Sequence, residues 1–488
     1  MKVQLSKNNV LKSTSDLLIF SLFSGEKLSS DLKKIDKILN GSISKSFNKK
    51  DFNGQYGKIN RFNTNGNIQV KTVLILGLGE KKEFSFNRCY RVFAKVGKEI
   101  EPADESVGIA FELNGNNLLS SSIEGLLQGN YKFNKYKTEN RKNTDITFTV
   151  FSKSISERNF SRQLKKAINI TKAVYLARDL VNEPPVYLTP AKLSEISESV
   201  ASEGNLEIKI LGKEEIKSAG MNGLYSVSRG STQPPRFIHF TYTPKTKSKK
   251  TIAIVGKGVT FDSGGLCLKP AGSMLTMKMD MGGSAVVVGA MKAIAELKPK
   301  HTIHGIIAAT ENMTGGDAYK PDDVLYALNG KSIEIINTDA EGRIALSDAL
   351  SYAVDLGVDE IIDLATLTGA CIVGLGSYTA GVMGNNKKLI NSILESSDNV
   401  GEKMWQLPLD DELRKEIKSN IADIKNVGSR WGGAITAGLF LEHFVSDTPW
   451  THIDIAGPAY LEKSNDVYPQ GGTGFGVRTL VNYLTDNK

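Results

Sequence analysis

Cysteine, histidine and long apolar runs are scarce in this 488-residue chain. Its three cysteines, Cys89, Cys267 and Cys371, lie far apart with no CxxC spacing. An odd count cannot pair completely within one chain, and such spacing builds neither a disulfide framework nor a thiolate zinc site, so a reducing cytoplasm is the expected home. The five histidines are His239, His301, His304, His443 and His452, and none falls in the glycine-rich segments described below. Any metal site is therefore expected to be carboxylate-dominated. No window approaches the roughly 18 consecutive apolar residues of a membrane-spanning helix. The N-terminus shows no apolar stretch ending in a small-residue cleavage site, so neither export nor membrane association is expected. There is no fixed-period repeat and no long low-complexity stretch.

What remains has the composition of an ordinary globular protein, 40% hydrophobic and 23% charged, with a length that suits two domains. Charge is unevenly spread. The total is +8, whereas residues 1–160 hold 26 basic and 16 acidic residues, or +10, leaving −2 for the rest. A basic surplus can attract nucleic acid. Here the lysines (Lys45, Lys49, Lys50, Lys132, Lys135, Lys137) are scattered among Asn and Ser without the interleaved aromatics of a single-strand binder. A solvated surface is the first reading and a polyanion site the second.

The first third has short apolar runs beginning at Asp16, Lys71, Ser106 and Ile146, read as strands of a small mixed α/β domain. Gly77-Leu-Gly-Glu-Lys lacks the third glycine of a dinucleotide fingerprint and reads as a strand-exit turn. Between Ser156 and Val181 apolar residues recur at helical spacing until Asn182-Glu-Pro-Pro stops the pattern. Beyond it, strands expected at Thr251–Val255, Thr302–Ala309, Ile333–Ile336, Glu360–Leu367 and Thr451–Ile455 alternate with helices at Gly283–Leu297, Ile344–Leu356 and Ala434–Val445. Such alternation implies a mainly parallel sheet flanked by helices. The fold class is α/β: an N-terminal α/β domain over 1–159, a linker helix over 160–181, and a larger C-terminal domain over 182–488.

In open α/β sheets, functional groups gather where strands give way to loops. Two segments stand out. Val255-Gly-Lys-Gly-Val-Thr-Phe-Asp-Ser-Gly-Gly, too glycine-rich to be expected as regular structure, carries Lys257 and Asp262; Lys269 follows, and Asp280 precedes a helix. Ile335-Ile-Asn-Thr-Asp-Ala-Glu-Gly-Arg carries Asp339 and Glu341, whose spacing in an extended segment would put both carboxylates on one side. Carboxylates directly after buried strands are costly unless paired, hydrogen-bonded or metal-bound. Asp262, Asp280, Asp339 and Glu341 together would balance two divalent cations. The alternative is that Asp339 and Asp280 cap helices while Lys257 and Asp262 form an ion pair, and spacing does not decide between them.

The same residues carry a resemblance. Asn337-Thr-Asp-Ala-Glu-Gly-Arg-Ile resembles the signature octapeptide of the leucine aminopeptidase (cytosol aminopeptidase) family, and Gly256-Lys-Gly-Val-Thr-Phe-Asp-Ser-Gly-Gly-Leu-Cys-Leu-Lys-Pro its first metal loop. Asn182-Glu-Pro-Pro, Leu364-Ala-Thr-Leu-Thr-Gly-Ala and Ile453-Asp-Ile-Ala-Gly extend the likeness over about residues 160–488. The N-terminal third, macro-like in that family, matches in size and position only.

The resemblance implies a two-metal exopeptidase that releases N-terminal residues, often Leu, from peptides. One ion would be held by Asp262, Asp339 and Glu341, and the tighter one by Lys257, Asp262, Asp280 and Glu341. Lys257 must be neutral to bind metal, so its pKa has to fall far below about 10.4. The resemblance further implies a metal-bridging hydroxide as nucleophile, Lys269 stabilising the oxyanion, and Arg343 holding a bicarbonate that acts as general base. It places Met277, Asn337, Thr366, Leu367 and Gly369 against the substrate. The ions would be Mn or Zn, with Mg or Co as further options, and the assembly a homohexamer with its active sites around an interior cavity. Two other readings stand beside it: DNA binding by the basic N-terminal surface, and a two-metal phosphoesterase. Free-thiol chemistry at Cys267, two residues before Lys269, is a further expectation.

Overall fold

The computed structural model describes residues 2–48, 52–113, 116–139 and 146–485; of the scattered lysines, Lys49 and Lys50 lie outside them. The chain forms two compact units. One runs to Thr171 and takes in Ser464–Pro469, and the other comprises the remainder from Lys172. The helix Glu157–Asn182 contains the point of division.

The first unit holds a six-stranded sheet in the order Lys2–Ser6, Thr147–Phe151, Ser106–Ala110, Leu17–Phe23, Thr72–Gly79, Ile59–Asn63. Neighbours are parallel except for the last pair. The central strand explains why its sequence does not alternate. Leu17 and Ile19 pack into one core and Leu18, Phe20 and Leu22 into another, so both faces are covered and every position but Ser21 is apolar. Gly79, at φ +77°, ends its strand just before a short turn at Lys81–Glu83, the plain exit expected.

The second unit is built on eight strands in the order Met404–Gln406, Ala380–Gly384, Trp450–Asp454, Glu360–Ala365, Thr251–Asp262, Thr302–Asn312, Arg236–Tyr242, Glu207–Leu211. The four strands from Trp450–Asp454 to Thr302–Asn312 are mutually parallel, and antiparallel pairings occur towards the edges. Side chains alternate along the central strand. Ala253 and Val255 join a core with Ile344, Leu346 and Leu350 of the helix Glu341–Asp355. On the opposite face, Gly256 meets the first turn of the helix Gly282–Leu297. Lys257 thus points to the Glu341 helix, where a Cβ on Gly342 would lie 2.5 Å from Lys257 Nζ.

Two expectations are corrected here. The glycine-rich stretch after Val255 is not a loop; the strand continues to Asp262, paired with Thr302–Asn312 as far as Asp262–Asn312. Its glycines serve close approach instead. A Cβ on Gly256 would sit 2.7 Å from Gly283 O, and one on Gly258 2.8 Å from Ala308 O. The loop begins only at Ser263, with Gly264 and Gly265 at φ +87° and +64°. Nor does Asp339 lie in an extended segment with Glu341. The short strand there is Ser332–Glu334, Asp339 sits in a turn, and Glu341 is the first residue of its helix.

Gly283 tests this packing. A Cβ there would lie 2.0 Å from Leu364 O and 2.8 Å from Lys257 N, both backbone atoms that cannot swing aside. Gly283→Ala should cost about 1–3 kcal/mol, as overpacking of a tight interior does. Gly272→Ala, where nothing lies within 4 Å, should leave the thermal melting temperature unchanged. Equal melting temperatures for the two variants would refute the close-approach account.

Candidate metal centre

Three segments deliver the four carboxylates to the carboxyl ends of the parallel strands. Lys257 and Asp262 come from the central strand itself. Asp280 follows the single turn Met277–Met279 and precedes the helix Gly282–Leu297, whose N-cap is Met281, so Asp280 does not cap it. Ala340 takes the N-cap position before Glu341, so Asp339 is not a helix cap either. Oxygens of Asp262, Asp280 and Glu341 lie within 4.8 Å of one another, and all three side chains are buried.

Two lysines are set among them. Lys257 Nζ lies 2.8 Å from Asp280 Oδ2, 2.8 Å from Glu341 Oε1 and 3.0 Å from Thr366 O, to which it donates. Lys269 Nζ lies 2.9 Å from Asp262 Oδ2 and pairs also with Asp339, which brings that carboxylate into the cluster. Burial raises the pKa of Asp262, Asp280 and Asp339, and neighbouring carboxylates push the same way. Burial alone would lower Lys257, but Asp280, Glu341 and Asp262 outweigh it and hold the ammonium above its ordinary value. Lys269 is raised likewise by Asp262 and Asp339 against its own burial.

The donor set fits divalent cations. Glu341 Oε2 is buried without a hydrogen-bond partner, a cost of about 1–3 kcal/mol or more for a charged group. Asp280 Oδ2 and Glu341 Oε1 meet the Lys257 ammonium as ion pairs without hydrogen-bond geometry. Four carboxylates facing two ammonium groups leave net negative charge in a buried place, and hard cations take such oxygen donors.

Two further carboxylate oxygens are held in position by hydrogen bonds. Asp262 Oδ1 accepts from Gly264 N at 2.8 Å and from Asn312 Nδ2 at 2.8 Å, and Asp280 Oδ1 accepts from Thr366 Oγ1 at 2.8 Å. Thr338 fastens one loop to the other: its hydroxyl donates to Gly264 O and accepts from Cys267 N. Asn312 and Tyr319 both donate to Thr338 O. Such partners orient ligands as much as the ligands themselves define a site.

Arg343 lies in the first turn of the Glu341–Asp355 helix, buried. Its Nη1 donates to Asn426 O at 2.8 Å, and its Nε has no hydrogen-bond partner. Burial brings its pKa down to about 10, which keeps it charged at neutral pH. Among the described residues it forms no ion pair with a carboxylate.

A cavity of about 380 Å³ opens on the cluster, and Lys257, Asp262, Lys269, Asp280, Asp339 and Arg343 line it. So do Met277, Asn337, Thr366, Leu367 and Gly369, the positions expected against substrate. Thr366 also supports the cluster through Asp280 and Lys257, and Asn337 Oδ1 accepts from Asp339 N, closing the turn that presents Asp339. Met279, Ala370, Ile372 and Val427 add apolar walls that the sequence did not single out. Asp454 was quoted only as part of a motif, yet it accepts from Leu367 N and Thr368 Oγ1 and so shapes one wall. Asn426 escaped notice because no local pattern marks it. Its side chain accepts from Ile336 N and donates to Asn337 O while its carbonyl holds Arg343. No histidine lines this cavity; His452 is instead buried against Asp363 at 2.6 Å.

Comparison with known proteins agrees with this geometry. The model described as "Cytosol aminopeptidase family, catalytic domain" matches residues 175–481, and "Cytosol aminopeptidase family, N-terminal domain" matches 19–140. A probable cytosol aminopeptidase of Sulfurihydrogenibium sp. (strain YO3AOP1) is 45% identical over 494 residues, covering 99% of this chain and 98% of its own. One from Aquifex aeolicus is 43% identical over 493 residues, with 99% and 98% covered. A solved mutant of tomato leucine aminopeptidase superposes with a TM-score of 0.90 at 32% identity, covering 100% of this chain and 97% of that one. The bottromycin maturation enzyme BotP in complex with Mn gives 0.85 at 31% identity, covering 96% and 99%. The chain belongs to the cytosol aminopeptidase family. With that membership it is a metal-dependent aminopeptidase. The likeness reaches further than the motifs did, because the N-terminal domain matches in sequence as well as in position.

The unpartnered Glu341 oxygen generates a test. In metal-stripped protein, Glu341→Gln should raise the melting temperature, since it lessens the excess of negative charge that four carboxylates hold against two ammonium groups. Saturating Mn²⁺ should raise that of the parent, as ligands that bind only the folded state do, and leave the variant nearly unmoved. A variant that is less stable without metal, or that responds like the parent, would contradict the site as drawn.

Proposed function

We propose that the protein removes N-terminal residues, leucine and other apolar residues by preference, from short peptides, using two divalent ions per subunit, Mn or Zn before Mg or Co. The observation that supports it most is a buried carboxylate cluster with an unsatisfied oxygen, opening into a cavity walled by Met277, Met279, Ala370 and Ile372. In this reading Asp262, Asp339 and Glu341 hold one ion, and Lys257, Asp262, Asp280 and Glu341 the other, with Asp262 and Glu341 shared. Bound there, two cations supply Lewis acidity for the scissile carbonyl and a low pKa for water.

The protein's own groups do the rest. Lys257 must surrender its proton to act as a ligand, and so metal affinity falls as pH is lowered. Lys269, at the cavity wall, keeps its proton and stabilises negative charge developing on the carbonyl oxygen. Arg343, whose Nε has no hydrogen-bond partner and which lies in a helix first turn, would seat an anion, bicarbonate in this reading, which would supply the general base. No histidine is then required. The apolar walls accept the first side chain, and ions held by the carboxylates would supply an anchor for its free α-amine. Assembly as a homohexamer in the cytoplasm completes the proposal, and light scattering at about six times the 53.1 kDa chain mass tests it.

Initial rates on leucyl-p-nitroanilide and its N-acetylated form decide the reaction. Metal-stripped protein given Mn²⁺ or Zn²⁺ should hydrolyse only the free-amine substrate, and Lys257→Ala should abolish this. Lys269→Met should lower kcat about 10²–10³-fold with little change in KM, the usual effect of losing an oxyanion donor. Turnover of the acetylated substrate, or of p-nitrophenyl phosphate in preference, would overturn the reading. The DNA reading requires binding that weakens steeply with salt and survives Lys257→Ala.

A further inference from the structure

Outside the carboxylate centre, two histidines and a threonine form a second cluster of donor atoms. The strands Arg236–Tyr242 and Thr302–Asn312 are antiparallel, with Thr241 opposite His304 and His239 opposite Ile306. Alternation puts His239, Thr241 and His304 on one face of the sheet. His239 Nε2 lies 2.9 Å from His304 Nδ1, and Thr241 Oγ1 lies 3.4 Å from the first and 3.3 Å from the second. Ligands about 2.0–2.1 Å from a transition metal stand roughly 2.9 to 3.4 Å apart, depending on geometry. The three atoms therefore already have the spacing of one face of a coordination polyhedron.

The surroundings are those of a ligand shell. His239 Nδ1 is 3.1 Å from Tyr352 Oη, so the ring nitrogen turned away from the triangle is fixed by a neighbour, as in metal-binding imidazoles. Tyr352 stacks edge-on against Phe237 with ring centroids 4.9 Å apart, which holds the hydroxyl in place. Burial keeps both imidazoles unprotonated at neutral pH, His239 with a pKa brought down to about 4, and Lys209 on the neighbouring strand acts in the same direction. Neutral imidazole is the metal-binding form. His304 and Thr241 are half-buried, and an ion can therefore reach the triangle from solvent.

We propose that His239, His304 and Thr241 form a separate site for one imidazole-seeking divalent ion, of the Zn²⁺ or Cu²⁺ class, that shares no residue with the carboxylate centre. Water completes its coordination. Two elements link it to that centre: Tyr352 lies on the same helix, Glu341–Asp355, as Glu341 and Arg343, and the strand of His304 ends in Asn312, which donates to Asp262. Nitrogen and oxygen donors here select differently from the carboxylate-rich cluster, so the two sites take different ions from a mixture.

The test uses the full-length chain carrying Asp280→Asn and Glu341→Gln, which disables the carboxylate centre, with Zn²⁺ for calorimetry and Cu²⁺ as a paramagnetic probe. One Zn²⁺ per chain should bind at micromolar concentration, and bound Cu²⁺ should show the spin-echo modulation of imidazole nitrogen. His304→Ala should weaken binding at least tenfold and remove the signature. Tyr352→Phe should weaken it up to about tenfold by releasing the His239 ring. Thr241→Val keeps both imidazoles and the side-chain volume, and it should weaken binding while leaving the melting curve intact, which separates ligation from misfolding. No uptake below about 1 mM would mean a hydrogen-bonded histidine pair only. An imidazole signature that His304→Ala and Thr241→Val leave unchanged would place the ion elsewhere. Either result overturns the proposal.

Discussion

Four carboxylates brought together at the ends of parallel strands, three of them buried, are the constraint on which the catalytic unit depends. Asp262, Asp280, Asp339 and Glu341 repel one another, and burial raises the cost of each charge. The chain answers with two ammonium groups among them, with backbone and Asn312 donors on Asp262, and with Thr366 on Asp280. One Glu341 oxygen is left without any such partner. A protein would not keep that arrangement for stability. It is the arrangement of a site shaped around cations, and the loops at that end of the sheet are organised to hold it open.

Glycine makes the crowding feasible. Gly256 lets the helix Gly282–Leu297 come close to the central strand, and Gly342 lets the Glu341 helix pass beside the Lys257 side chain. Gly265 leaves room for Asn312 Oδ1, which a Cβ there would approach to 2.8 Å. Each glycine removes a side chain where two functional segments must nearly touch, and this proximity brings Lys257, Asp280 and Glu341 within ion-pair distance.

Histidine is used away from the carboxylates, and in two electrostatic settings. His452 sits beside Asp363, where the carboxylate holds its pKa up against the effect of burial. Among the described residues no acid does the same for His239 or His304, and burial keeps them neutral. The same side chain thus has its pKa held up in the middle of the sheet and brought down towards its edge, and the neighbouring residues decide which.

Much of this was legible in the sequence, for local reasons. Short apolar runs announced strands, their alternation with helical segments a mainly parallel sheet, Asn182-Glu-Pro-Pro stopped a long helix, and the scarcity of histidine near the glycine-rich segments pointed to oxygen ligands. The motifs around Lys257 and Asp339 carried the family. Local pattern failed where the partner is remote. Glycine density made Gly256 to Asp262 look like a loop, because a sequence does not show that Gly283 and Ala308 press on that strand. Spacing suggested that Asp339 and Glu341 share one side of an extended segment, whereas a turn and a helix start separate them. Asn426 and Asn312 carry no signal of their own, since their worth lies in hydrogen bonds to residues 83 and 50 positions away. The sequence determined which chemistry the chain can support, because residue type sets charge, donor class and turn preference. Only the tertiary structure decided which groups meet, because convergence at the strand ends is set by strand register and by backbone contact between distant segments.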